Sequence, residues 1–133
     1  MKAAGNKSVV LERALTQVDF DAFAALSGDD NPIHVDPDFS ARTSFGRTVS
    51  HGMLLYTILR GLADKLAPGA RQVSQELMFP APAYADEPIR FEAHVAGENG
   101  SHRSIAMRAT RLHDETCVCE GACVMDLEAG DGA

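Results

Sequence analysis

The sequence predicts an α+β fold in which a curved antiparallel sheet wraps around one long helix. Between residues 51 and 66, apolar side chains cover well over half of a helix circumference, so this helix must be buried on most sides. After residue 70 the apolar period changes from that of a helix to that of a strand. A sheet wrapped around the helix is the simplest way to bury the apolar side chains of both the helix and the strands.

The elements before the long helix are short. A weak strand is predicted over Ser8–Ala14. Residues 16–19 resemble a capping box and start a short helix, whose apolar side chains extend to Leu26 and which ends at Ser27-Gly28. Asp36-Pro37 opens a further helical turn, with aspartate at the cap and proline at the first helical position.

The long helix is predicted to begin near His51 and to end at Pro68-Gly69. Ser50 is the candidate N-cap, since its hydroxyl can accept a hydrogen bond from an early backbone N–H. The amides of His51, Gly52 and Met53 would be unpaired donors at the positive end of the helix dipole.

Strands are predicted at residues 73–79, 89–95, 104–112 and 117–127, with turn signals between them. The last strand carries the cysteines, Cys117, Cys119 and Cys123, whose odd numbers place them on one face. Their spacing matches no common zinc pattern, so we expect small buried thiols rather than a metal or catalytic site.

Length and charge narrow the class of protein. The 133 residues fit one domain, predicted as 1–133, which is long enough to need neither a disulfide nor a metal for stability. A net charge of −7 argues against nucleic-acid binding, which requires a basic face. The sequence contains neither a long apolar run nor a secretory signal, so we expect a cytoplasmic protein that does not enter membranes.

One short run combines a carboxylate and an imidazole. Asp29 and His34 are five positions apart, which would separate them on a continuous helix, but Asn31-Pro32 lies between them and disfavours that helix. A tight bend there would let both side chains face one point. A carboxylate, an imidazole and free helix amides together are the parts of a site that moves protons beside a carbonyl.

These residues resemble the MaoC-like acyl dehydratases, specifically the single-domain (R)-specific enoyl-CoA hydratases. The family pattern is approximately Asp-x-Asn-Pro-x-His, followed at a distance by Val-x-His-Gly-Met-Leu. It is present here as Asp29, Asn31, Pro32 and His34, then Phe39, Ala41 and Phe45-Gly46, then Val49, His51, Gly52, Met53 and Leu54. Leu77, Phe79, Pro82 and Tyr84 continue the resemblance more weakly.

The resemblance implies a hot-dog fold, with about five antiparallel strands gripping the central helix, and a homodimer with its acyl-CoA site near the subunit interface. It implies reversible addition of water to trans-2-enoyl thioesters, carried by coenzyme A or acyl carrier protein, without a cofactor or metal. We expect Asp29 and His34 to hold the water, Asp29 being the leading base, and the Gly52 amide to stabilise the oxyanion. Supporting or substrate-binding roles are expected for Asn31, Ser50, His51 and Met53.

Two departures from the family pattern and two alternative functions accompany this interpretation. Arg60 occupies a position that is often small and polar in relatives, and Asp86-Glu87 replaces a Gly-Asp turn.

The alternatives are a hot-dog thioesterase, which directs water at the carbonyl carbon, and a non-catalytic subunit of a heterodimeric dehydratase. An intact Asp29 and His34 pair argues against the non-catalytic subunit.

Overall fold

The computed structural model describes residues 7–128, so both ends of the predicted domain lie outside the described residues. None of the described helices is long and apolar enough to cross a membrane. The elements, in chain order, are β1 (Ser8–Ala14), α1 (Gln17–Ser27), α2 (Pro32–Val35), α3 (Pro37–Ala41), α4 (Gly52–Leu66), β2 (Arg71–Met78), β3 (Pro88–Asn99), β4 (His102–Arg111) and β5 (Thr116–Asp126).

The five strands form a single antiparallel sheet in the order β1-β3-β4-β5-β2. Helix α4 packs against strands β1, β3, β4 and β5, so the sheet encloses the helix as the hot-dog fold requires. The predicted fold class is confirmed, as are the long helix and all five predicted strands. Strand order was not predictable from the alternation of apolar residues.

The core lies between α4 and the sheet. Leu59 and Ala63 of α4 are fully buried against a surface that includes Phe91 of β3 and Ile105 of β4. At the far end of α4, the Arg103 guanidinium donates a 2.6 Å hydrogen bond to the Leu66 carbonyl, which satisfies one of the last carbonyls of the helix. The helix is therefore held by apolar burial along its length and by a cation at its C-terminus.

The segment before α4 is shaped by helix caps. The predicted capping box is present, with the Thr16 hydroxyl accepting from the Asp19 amide and the Asp19 carboxylate accepting from the Thr16 amide. Gly28 ends α1 in the left-handed region with φ 83°. The Asn31 side chain then accepts from the Ile33 amide and starts α2. Residues 29–31 therefore form a short bend between two capped helices.

Ser50 is not the N-cap of the long helix, which corrects the prediction. Helix α4 begins at Gly52, and its N-cap is His51, whose side chain makes no capping bond. The Ser50 hydroxyl instead donates to the His51 carbonyl at 2.9 Å, and the Ser50 amide donates to the Ala83 carbonyl at 2.8 Å. The hydroxyl and the amide of Ser50 are thus both bonded to backbone carbonyls, and within residues 7–128 no side-chain cap bond is present at the start of α4.

A β-bulge in β5 changes the faces of the cysteines. Ala109 of β4 pairs with Cys119 and the next residue pairs with Cys117, so Val118 is the extra residue. Cys119 and Cys123 are buried, and burial raises the pKa of the Cys119 thiol to about 12. Cys117 is only half-buried and lies on the other side of the bulge, so the three thiols do not share one face.

The two departures from the family pattern are accommodated locally. Arg60 pairs with Asp64 one turn further along α4, and it neither contacts Asp29 nor lines the cavity that Asp29 faces. Asp86 adopts φ 68°, the left-handed region that favours glycine, and its amide donates to the Leu15 carbonyl at 2.7 Å. The turn therefore has the backbone conformation that glycine would adopt.

The strand pair β2–β5 depends on a glycine. A Cβ atom at Gly121 would lie 1.9 Å from the Glu76 carbonyl oxygen, whereas a Cβ at Gly97 of β3 would meet nothing within 4 Å among residues 7–128. We expect Gly121→Ala to lower the free energy of unfolding by about 3 kcal/mol, because backbone rather than a flexible side chain must move. Urea unfolding of Gly121→Ala and Gly97→Ala measures this, and equal stabilities of the two variants would contradict it.

Candidate active site

A cavity of about 460 Å³ lies where the bend after α1 meets the beginning of α4. One wall is formed by Asp29, Ile33 and His34, and the start of α4 with the segment before it contributes residues 49–53. Residues 79–83, which follow β2, form the opposite wall, and most of the remaining lining is apolar. Val118 reaches the cavity because the β5 bulge turns its side chain inward, so an irregularity of the sheet helps to shape the site.

Asp29 and His34 face each other across the cavity wall. The Oδ2 atom of Asp29 lies 3.9 Å from Nε2 of His34, which is too far for a direct hydrogen bond. A water molecule about 2.8 Å from each atom, to one side of the line that joins them, would bridge the two. The Asp29 side chain is 56% exposed and the His34 side chain 10%, so the carboxylate is open to solvent while the imidazole is held in the protein.

The hydrogen bond of its other ring nitrogen, Nδ1, determines the tautomer of His34. Nδ1 lies 2.8 Å from the Val49 carbonyl oxygen, which can only accept, so Nδ1 carries a proton. In the neutral ring, Nε2 therefore presents its lone pair to Asp29 and to the cavity. The Val49 amide in turn donates to the Ile33 carbonyl at 3.0 Å, so the chain segments on both sides of the ring are tied together.

His51 is buried directly behind this pair. It is 2% exposed, and its Nε2 donates to the backbone carbonyl of Asp29 at 2.8 Å. Its ring stacks on His34 with centroids 3.9 Å apart and planes inclined by 23°, and Phe23 contacts it edge-on at 4.9 Å. One side chain thus fixes both the backbone of Asp29 and the ring plane of His34. No sequence pattern predicted that Phe23 would contact the His51 ring.

Burial holds His51 in its neutral form. Loss of hydration lowers the pKa of His51, and repulsion from a charged His34 lowers it further, against the opposing effect of the bond to Asp29. Its Nδ1 is buried without a hydrogen-bond partner among the described residues. A proton added to Nδ1 would have no acceptor there, so the uncharged ring is the form that fits.

The amide of Gly52 is the first N–H of α4 and points out of the helix at its positive end. A Cβ atom at Gly52 would lie 2.9 to 3.0 Å from three ring atoms of Phe79. A side chain at this position would therefore require the Phe79 ring to move. The sequence placed Phe79 within the family resemblance but indicated no role for it.

The remaining candidates divide into two groups. Ser50 and Met53 line the cavity, Met53 with 46% of its surface exposed. Asn31 does not line the cavity, and its side chain caps α2 instead. The structure therefore brings together six of the seven predicted site residues: Asp29, His34, Ser50, His51, Gly52 and Met53.

The same cluster contains potential metal ligands. Ligand atoms of Asp29, His34 and His51 lie within 4.8 Å of one another. The two imidazole rings are nearly parallel, so their in-plane lone pairs run side by side rather than converging on one ion. One nitrogen of each ring is already bonded to a backbone carbonyl. This donor geometry suits proton exchange with a water molecule better than cation binding.

A neutral buried His51 makes stability depend on pH. Because its pKa is lowered in the folded state, the unfolded chain binds more protons below pH about 6.5, and folding is destabilised as the pH falls. We expect this loss to be absent in His51→Gln, whose amide retains a donor for the Asp29 carbonyl but does not titrate. Urea unfolding between pH 7.5 and 4.5 measures it, and identical pH slopes for both proteins would contradict the prediction.

Comparison with known proteins identifies the family of this chain. A family model described as "MaoC like domain" matches residues 2–116. The "(R)-specific enoyl-CoA hydratase" of Aeromonas caviae is 39% identical over 93 residues, 68% of this chain and 69% of that protein. The "3-hydroxybutyryl-CoA dehydratase" of Methylorubrum extorquens is 30% identical over 120 residues, 89% of this chain and 76% of that protein.

Solved structures agree with the fold and the connectivity. The (R)-hydratase from A. caviae, described as involved in PHA biosynthesis, superposes with a TM-score of 0.85 at 30% identity. The match covers 91% of this chain and 94% of that one. With a family model spanning most of its length and relatives of this similarity, the chain belongs to the MaoC-like domain family.

Proposed function

We propose that this protein is a hydro-lyase that reversibly adds water to trans-2-enoyl-CoA to give the (R)-3-hydroxyacyl-CoA. The observation that carries the proposal is the 3.9 Å gap between the Asp29 carboxylate and His34 Nε2, beside the uncapped amide of Gly52. The names of the two relatives, an (R)-specific enoyl-CoA hydratase and a 3-hydroxybutyryl-CoA dehydratase, describe the two directions of one such reaction.

The geometry meets the requirements of the reaction. Hydration needs a water activated for attack at C3, a proton for C2, and a donor for the negative charge that develops on the thioester oxygen. A water between Asp29 and His34 donates to both, because the carboxylate and the Nε2 lone pair are acceptors. As the water oxygen bonds to C3, the Asp29 and His34 pair takes one proton from that water. The pair gives one proton to C2 and so returns to its starting protonation state.

The surroundings of the pair favour this chemistry. The cavity walls contributed by Ile33, Phe45 and residues 79–83 are largely apolar, so a bound enoyl group would displace water. Charge developing on the thioester oxygen would then interact with the α4 amides in a medium of low dielectric constant. A helix of 15 residues presents a full turn of aligned amides to that oxygen.

We further propose that the protein acts as a homodimer joined at the edge strand β2. Within residues 7–128 this strand has a neighbour on one side only, and Val73 on it is 47% exposed. Open strand edges pair readily with another chain. Because β2 leads directly into the cavity wall at Phe79, pairing there would put the site close to the partner subunit.

Replacing either member of the pair should abolish hydration. We expect Asp29→Asn and His34→Ala each to lower kcat for crotonyl-CoA by about 10²–10⁴-fold, the usual contribution of a general acid or base. Asp30→Asn is the matched control, since Asp30 is an exposed neighbouring carboxylate that does not line the cavity. Loss of enoyl absorbance measures the rate, and near-normal turnover in Asp29→Asn or His34→Ala would contradict the proposal.

Two further measurements separate the alternatives. Release of free coenzyme A thiol in place of loss of enoyl absorbance would identify a thioesterase and overturn the proposal. Purified protein that is inert alone but active with a second subunit would identify a heterodimeric enzyme. Crotonyl thioesters of coenzyme A and of acyl carrier protein, assayed side by side, show which carrier the site accepts.

The dimer is tested by its mass in solution. We expect light scattering after size-exclusion chromatography to give about twice the 14.2 kDa of one chain. A fully active monomer would contradict the proposed dimer while leaving the assignment of the reaction intact.

A further inference from the structure

We propose that the ring of Phe79 is the wall that positions the substrate thioester against the Gly52 amide. This inference rests on the proposed hydratase function and names a residue that determines how the substrate lies in the same site. Sequence patterns gave Phe79 no such role, because it follows the last residue of β2 and is far from Gly52 along the chain.

The contact between the two residues is close and specific. Three consecutive ring atoms of Phe79, Cδ1, Cε1 and Cζ, lie 2.9 to 3.0 Å from the place where a Cβ of Gly52 would be. The ring is therefore packed against the Cα side of the first residue of α4. The ring therefore lies beside the residue whose amide is the proposed oxyanion donor.

Core packing does not account for an aromatic side chain at this position. Phe79 is 45% exposed and is not part of the buried cluster between α4 and the sheet. It lines the cavity instead, at the start of the wall formed by residues 79–83. Pro80 and Pro82 restrict the backbone of this wall, so the ring is carried by a stiff segment.

The shape of the ring suits the substrate class. A trans-2-enoyl thioester is conjugated and therefore flat, and a flat group packs well along an aromatic surface. With Phe79 on one side and the Asp29 and His34 pair on the other, C3 would lie near the water while the carbonyl meets the Gly52 amide. The ring lies against the first residue of α4, so we expect it to limit the access of water to the amides there when substrate is bound.

Steady-state kinetics on crotonyl-CoA test the inference. We expect Phe79→Ala to lower kcat by about 10²-fold with little change in KM, because a misplaced thioester binds but does not align with the water. Phe79→Leu, which retains apolar bulk, should recover part of kcat. Phe39→Ala is the matched control, since Phe39 is 36% exposed, lies on α3 and does not line the cavity, and it should leave kcat nearly unchanged.

A spectroscopic measurement reports on the carbonyl itself. Crotonyl-CoA with a ¹³C-labelled carbonyl, bound to the inactive Asp29→Asn variant, should show a lowered carbonyl stretching frequency because the Gly52 amide donates to it. We expect the double variant Asp29→Asn/Phe79→Ala to bind the same thioester with that lowering reduced or lost. Infrared difference spectra measure the shift without requiring turnover.

The outcomes distinguish this inference from the function on which it rests. Wild-type protein without hydratase activity would reject the proposed function and the inference with it. If the wild-type protein is active, any one of three results would reject the inference alone. These are a fall in kcat for Phe79→Ala no larger than for Phe39→Ala, a loss of kcat in Phe79→Leu as large as in Phe79→Ala, and a carbonyl shift that persists in the double variant. A fall in kcat of Phe79→Ala with partial recovery in Phe79→Leu and a lost shift supports it.

Discussion

The candidate site depends on one hydrogen bond, from His51 Nε2 to the backbone carbonyl of Asp29. Asp29 lies on a bend between two helices, its side chain is largely exposed, and its amide donates to Ser27 Oγ at 3.1 Å. The same imidazole stacks on His34 and is itself buried. A single buried ring therefore couples the position of the carboxylate to the orientation of the second imidazole, and the water site between them exists because both are held.

The sheet around α4 contributes to the site indirectly, by fixing the position of the helix. Burying Leu59, Ala63 and the rest of the apolar face fixes the axis of the helix, and the helix dipole is thereby aimed at the cavity. Because Ser50 is bonded elsewhere, no side-chain cap bond is present at the first amides of α4 in the part of the chain that the structure describes. An uncapped N-terminus is unfavourable for the helix alone. Here it leaves donors where the proposed oxyanion would form.

One irregular feature of the sheet contributes directly to the site, and others shape the chain around it. The bulge at Val118 turns an extra side chain of β5 into the cavity and moves Cys117 away from the face shared by the buried thiols. Asp86 adopts a left-handed conformation without glycine, and Asn31 acts as a helix cap rather than as a cavity residue. Each of these depends on which backbone group lies next to the residue in space, information that hydrophobic periodicity does not contain.

The sequence by itself determined the strands, the helices α1, α3 and α4, the fold class and the Asp29 and His34 pair, because apolar period, caps and proline restrictions act over a few neighbouring residues. The short helix α2 was not predicted. Only the tertiary structure decided the strand order, the bonding of Ser50, the stacking of His51 on His34 and the packing of Phe79 against Gly52. These features join segments far apart along the chain. They are set by long-range burial and by competition for hydrogen-bond partners, which appear only when the chain has folded.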